Sequence, residues 1–175
     1  MCVDDICLDN YIYPDMSGKL QKEIGKRDRF TSLEQEVMLN LLRTADRLIG
    51  KAEAGLKPAG LTPTQYNVLR ILRGISPLGI ACQEIARRMI TRDADLTRLL
   101  DRLESRGVVQ RQRQTDDRRV VHTTITPAGQ TLLAELDPLM AELNQKLLGH
   151  LSKEKLSSLL ELLEEARGQD EEAKG

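Results

Sequence analysis

Tryptophan is missing from this chain of 175 residues, Phe30 is its only phenylalanine, and aromatics amount to 2% of it. A core without large rings must be filled by aliphatic side chains, and leucine-rich contacts of helix on helix suit that material. Cysteine is scarce too. Cys2, Cys7 and Cys82 show no C-x-x-C spacing, and with His122 and His150 as the only histidines a structural metal site is not expected. No apolar run approaches the ~20 residues that a membrane span needs. The N-terminus lacks a basic, then apolar, then small-residue cleavage pattern, so the cytoplasm is the expected compartment and free thiols the expected state of the cysteines. No nucleophile–base pairing and no phosphate-cradling glycine loop is visible, so an enzyme is not expected, nor any cofactor.

Excess charge of either sign is absent as well, the formal net charge being −1. Its distribution is uneven. Residues 1–15 carry four acids and no base, whereas residues 16–86 carry eleven bases against seven acids. Residues 87–119 carry ten bases against six acids, and residues 127–175 five against ten. A basic middle between acidic ends can focus a phosphate-facing surface while the whole chain stays near neutral.

Residues 1–30 are polar and show no sustained periodicity, which reads as an N-terminal extension expected to be largely disordered. Ser32 caps a helix with Leu33, Val37, Leu41, Ala45 and Leu48 on one face, and Gly50, Gly55, Pro58 and Gly60 mark its decay into a linker. Thr62-Pro63-Thr64-Gln65 is a capping box with proline at the first helical position. Val68, Leu69, Leu72 and Ile75 supply the stripe of that helix. A short helix follows at about 82–90, with Ile85, Ala86 and Met89 inward and Ala81 at the cap position, where the side-chain acceptor is lacking.

Asp93 is read as the cap of the next helix, whose Leu96, Leu99, Leu100 and Leu103 fall at i, i+3, i+4 and i+7. Its opposite face shows Asp95, Thr97, Arg98, Asp101, Arg102 and Ser105, and Gly107 stands where a left-handed residue ends such a helix. Val108–Arg113 and Val120–Ile125 are β-prone runs around a charged tip, a hairpin. Thr126-Pro127 opens another helix, in which Pro138 is expected to cause a bend or a break. Ser152 caps a last helix with Leu156, Leu159, Leu160 and Leu163.

A short exposed helix bearing threonine and arginine beside an arginine-tipped hairpin suits the two grooves of DNA. Arginine can bond both guanine acceptors, and threonine can bond base edges or meet the thymine methyl, which makes Thr97, Arg98 and Arg102 candidate base readers. Arg118 and Arg119 at the hairpin tip match the enhanced negative potential of a narrow minor groove, with Asp117 placed to orient Arg119. Taken alone, the helix face would be a solvated one with i,i+3 ion pairs such as Asp95 with Arg98. Helix and hairpin together favour nucleic acid.

The run Leu61-Thr-Pro-Thr-Gln-Tyr-Asn-Val-Leu-Arg-Ile-Leu72 resembles the second helix of the multiple-antibiotic-resistance regulator (MarR) family. Leu96-Thr-Arg-Leu-Leu-Asp-Arg-Leu-Glu-Ser-Arg-Gly107 resembles its recognition helix, and Asp117-Arg-Arg119 with Ile125-Thr-x-Ala-Gly129 its wing signature. The resemblance covers about residues 20–167. It implies a mainly α fold with a small β-wing: a winged helix-turn-helix lobe over 55–127, flanked by dimerisation helices at 31–54 and 128–167, while the charged residues 168–175 read as a frayed tail by composition. It further implies a homodimeric bacterial repressor on a pseudo-palindromic double-stranded operator, released by a small-molecule effector. Arg43, Arg47 and Tyr66 are candidates for that effector's cleft, although packing or solvation explains each equally well. Oxidant-sensing relatives keep a cysteine in the first helix, and this chain has none there. Cys82 at a helix start is open to a lowered thiol pKa, but its small size there favours an inert role. The alternative is a helical protein–protein adaptor, which leaves the arginines of the hairpin unexplained.

Overall fold

The computed structural model describes residues 19–91, 93, 95–113 and 121–172, the side chains as far as residue 168. Seven α-helices run in the order α1 (Lys19–Glu23), α2 (Leu33–Leu56), α3 (Pro63–Ile75), α4 (Cys82–Arg88), α5 (Leu96–Ser105), α6 (Pro127–Leu148) and α7 (Lys153–Glu172). Strands β1 (Ile80–Ala81), β2 (Val109–Arg113) and β3 (Val121–Ile125) form an antiparallel sheet in the order β1-β3-β2. The chain divides into two compact units, the first ending at Asp46 and the second beginning at Arg47.

Helix starts follow the capping chemistry. Thr62 Oγ1 accepts from the Gln65 N–H at 3.2 Å while Gln65 Oε1 accepts from the Thr62 N–H at 3.0 Å, closing the capping box. Thr126 Oγ1 accepts from the Gly129 N–H at 3.2 Å and donates to the Gly107 carbonyl at 2.6 Å. That one hydroxyl both starts α6 and ties it to the turn that closes α5. Gly107 has φ +70°, the left-handed geometry expected after that helix.

The core of the second unit is aliphatic. Val68, Leu69 and Leu72 of α3, Ile85 of α4 and all four stripe leucines of α5 are buried, with Leu56, Leu61, Met89, Val108, Val109, Ile125, Leu133 and Leu136 completing the cluster. Ile75 is only half-buried and Ala86 is exposed, so those two do not face inward as their spacing predicts. Ala86 shares the exposed side of α4 with Gln83 and Arg87.

Several local expectations are corrected. The helix cap of α5 is Asp95, whose Oδ1 accepts from the Arg98 N–H at 3.2 Å. Asp93 instead accepts from the Asp95 N–H at 2.8 Å, forming the turn that leads into the helix. Gly50 and Gly55 do not end α2, because fully buried Leu56 anchors its last turn and the chain is broken only by the short 3-10 helix Lys57–Ala59 and left-handed Gly60. Helix α6 is not broken at Pro138, one of the two outcomes expected there, and runs on to Leu148. The segment read as extension holds α1 with Leu20 buried. Strand β1 has no counterpart among the expected elements: two residues are too few to show alternation, and it exists through pairing of Ile80 with Thr123 and Ala81 with His122.

Ala81 is the N-cap of α4, with extended φ −68° and ψ 153° and no side-chain cap. Threonine is at ease in that backbone, so Ala81→Thr should stabilise the protein by roughly 0.5–1 kcal/mol. Thermal unfolding checks it. An unmoved or lowered midpoint would mean that the added hydroxyl finds no free N–H.

Candidate DNA-binding surface

The burial of Leu96, Leu99, Leu100 and Leu103 turns the other side of α5 outward, and Thr97, Arg98 and Arg102 are all exposed there. Arg98 Nε lies 3.1 Å from Asp95 Oδ2, with 77% of the arginine side chain exposed, so the cap residue also orients a candidate base reader. An ion pair this open is weak and gives way readily to a better acceptor.

Beside the helix, β2 and β3 pair in register from Val109 with Ile125 to Arg113 with Val121. The tip with Asp117, Arg118 and Arg119 lies outside the described residues. Its base is well defined. Arg111 reaches from β2 to α5, where Nε donates to Glu104 Oε2 at 2.9 Å and the Arg111 backbone N–H donates to Glu104 Oε1 at 3.0 Å. Nη2 of the same arginine meets both Asp101 and Glu104. Hydrogen bonds donated by Arg111 hold the Glu104 carboxyl below the usual carboxylate range, and the same bonds raise the guanidinium in turn. Asp101, expected on the open helix face, is thus turned to the wing. No sequence signal could pair it with Arg111, because the facing of a strand against a helix is set by tertiary packing.

Two further clamps tie α3 to its neighbours. Arg106 donates to the Gly60 and Ala59 carbonyls at 2.6 and 2.8 Å, tying the end of α5 to the entry of α3. Arg73 of α3 donates to both oxygens of Asp137 on α6 at 2.6 and 3.1 Å, and its guanidinium holds the Asp137 carboxyl below the usual range. Tyr66 belongs to this second cluster, its hydroxyl accepting from Arg70 at 3.1 Å. With Arg70, Arg73, Asp137, Met140, Ala141 and Asn144 it lines a groove of about 310 Å³.

Of the other cleft candidates, Arg43 pairs with Glu23 at 3.9 Å within the first unit, and Arg47 is exposed and lines no part of that groove. A larger cavity of about 510 Å³ lies between the ends of α2 and α3 and helix α5, reaching Arg98 and Arg102. Burial pushes the Cys82 thiol up, outweighing the charge of Arg111, which favours the inert reading of this cysteine. Among the described residues no group of His, Cys, Asp or Glu is arranged to hold a metal ion, and no helix is long and apolar enough to cross a membrane.

Comparison with known proteins matches this arrangement. The profile of the MarR family fits residues 61–121. A MarR transcription factor from Planctomyces limnophilus is 42% identical, over 78% of this chain and 98% of that one, with a TM-score of 0.62. S. aureus MepR, solved in complex with DNA, shares the fold at 21% identity and TM-score 0.68, over 81% of this chain and 99% of its own. Bordetella bronchiseptica BpsR, whose DNA binding is regulated by 6-hydroxynicotinic acid, does so at 23% identity and TM-score 0.67, over 75% and 98%. The aliphatic core, the outward-facing helix α5 with its adjoining hairpin, and the 42% identity to the Planctomyces limnophilus protein over 78% of the chain establish that the chain belongs to the MarR family of DNA-binding transcription regulators.

Proposed function

We propose that this regulator is a homodimeric repressor that binds a pseudo-palindromic operator and is released by a small-molecule effector. The observation that carries the reading is the geometry of α5: four buried leucines hold Thr97, Arg98 and Arg102 outward on a helix that adjoins an antiparallel hairpin. In this reading the helix enters the major groove, where those three side chains meet base edges, and Arg118 and Arg119 of the wing enter the minor groove with Asp117 orienting Arg119.

Self-association is supported by apolar surface left bare on the terminal helices. Leu33, Val37, Met38 and Leu42 of α2 are each about half exposed, as are Leu160 and Leu162 of α7. Such surface on a chain with so few aromatics belongs to an interface between copies. Effector control is supported by BpsR among the relatives and by the groove at Tyr66, where two arginines stand beside an aromatic ring.

A band shift with duplex DNA from upstream of its own gene, run beside light scattering, tests the reading. The expected result is a particle of twice the chain mass occupying two half-sites about one helical turn, roughly 10 bp, apart. A 20-kDa species alone at micromolar concentration, or no sequence preference over random duplex, would refute it.

A further inference from the structure

We propose that Arg111 is a positioning residue that fixes the wing against the recognition helix and offsets one of two carboxylate charges that would otherwise oppose DNA. The proposal rests on the reading that the wing contacts DNA.

Strand alternation carries the first half. Val109 is buried in the core, and Arg111 is the next residue of β2 on the same face. Gln110, Gln112 and Arg113 are exposed. Among the described residues, therefore, Arg111 is the outermost residue of β2 bonded to α5. Its attachment is unusual for a surface pair. Glu104 uses one oxygen for the Arg111 backbone N–H and the other for Nε, so a single carboxylate fixes both the strand and the side chain. Asp101, one turn earlier on α5, shares Nη2 of the same fork with Glu104. A rotation of β2 about its last core residue would have to break all of these bonds, and the wing beyond Arg111 has no other tie to the helix among the described residues.

Charge carries the second half. Asp101 and Glu104 share α5 with Arg98 and Arg102, and both carboxylates keep more than a third of their side-chain surface exposed. Without Arg111 two negative charges would stand beside the phosphates that the helix approaches. The net worth of such a partly exposed network to folding is small. Its consequence lies in where the wing points.

Quantitative band shifts across salt concentrations, with hydroxyl-radical footprints on the upstream duplex, test this on the full chain. Arg111→Met should keep its preference among altered half-sites but lose protection of the flanking minor grooves. Its slope of log affinity against log salt should shrink by about one unit per wing arginine disengaged. Arg111→Lys restores the charge without the fork, and should recover part of the affinity but not the flanking protection. Full recovery of that protection with lysine would overturn positioning by the fork, and unchanged flanking protection in Arg111→Met would overturn the proposal outright. Should Arg111→Met fail to fold, the Asp101→Asn, Glu104→Gln double variant breaks the same contact from the helix side and should lose the same protection. The reference is Arg118→Ala, Arg119→Ala. If that variant keeps the flanking protection, the wing reading fails and this proposal with it; if it loses the protection while the Arg111 variants keep it, only the role of Arg111 is refuted.

Discussion

Gly129→Ala is expected to destabilise the protein by about 2 kcal/mol, an effect of overpacking that outweighs the gain in helix propensity. A Cβ at this position would lie 2.2 Å from the Val108 carbonyl oxygen and 2.7 Å from Ile125 Cγ1. The first is backbone, held by its bond from the Thr126 N–H at 3.1 Å, so it has little room to retreat. Alanine in a helix interior is favoured over glycine by about 1 kcal/mol, which is too little to offset contacts that short. The unfolding midpoint should fall by roughly 4–8 °C. Gly50→Ala is the internal control, since Gly50 sits inside α2 with nothing within 4 Å of the added carbon. There the same change should raise stability by roughly 0.5–1 kcal/mol. Equal shifts at the two positions would show that α6 does not cross the start of β2 as closely as described.

The second large effect separates wing from helix. Arg119→Ala should weaken binding to every duplex tested and reduce the salt slope by about one unit, because a minor-groove arginine reads width and potential rather than base identity. Arg98→Ala or Arg102→Ala should instead lower discrimination against altered half-sites by roughly 1–3 kcal/mol where the side chain makes a bidentate base contact. The ion pair of Arg98 with Asp95 must break for that contact to form, and at 77% side-chain exposure of the arginine it costs little. Fluorescence anisotropy over a panel of half-site variants and salt concentrations measures both quantities. An Arg119→Ala protein with wild-type affinity and slope would remove the wing from the interface.

Much of this architecture is written in short-range chemistry. Thr62 with Gln65, and Thr126 with Pro127, start their helices by hydrogen bonds within three residues, and both starts stand where the sequence puts them. The leucines of α5 repeat at the helical period, so the outward face with Thr97, Arg98 and Arg102 could be read before any fold was known. Local rules fail where two local answers compete. Asp93 and Asp95 are both able to cap, and only the path of the incoming chain puts Asp95 at the helix and Asp93 in the preceding turn. Likewise the glycines of α2 suggest an earlier end than buried Leu56 permits.

By itself, then, the sequence determined the order and type of the main helices, the hairpin, the polar face of α5 and the family to which the chain is akin, since each depends on residues within a turn or two of one another. The tertiary structure alone decided which charges meet: Arg111 with Asp101 and Glu104, Arg106 with the carbonyls before α3, and Arg73 with Asp137, 64 residues away. It also decided that two residues at Ile80–Ala81 become a strand and that Gly129 must lack a side chain. The physical reason is that a charge or a glycine carries no period. Its partner is chosen by how the packed leucines place one element against another, and that placement is a property of the whole core.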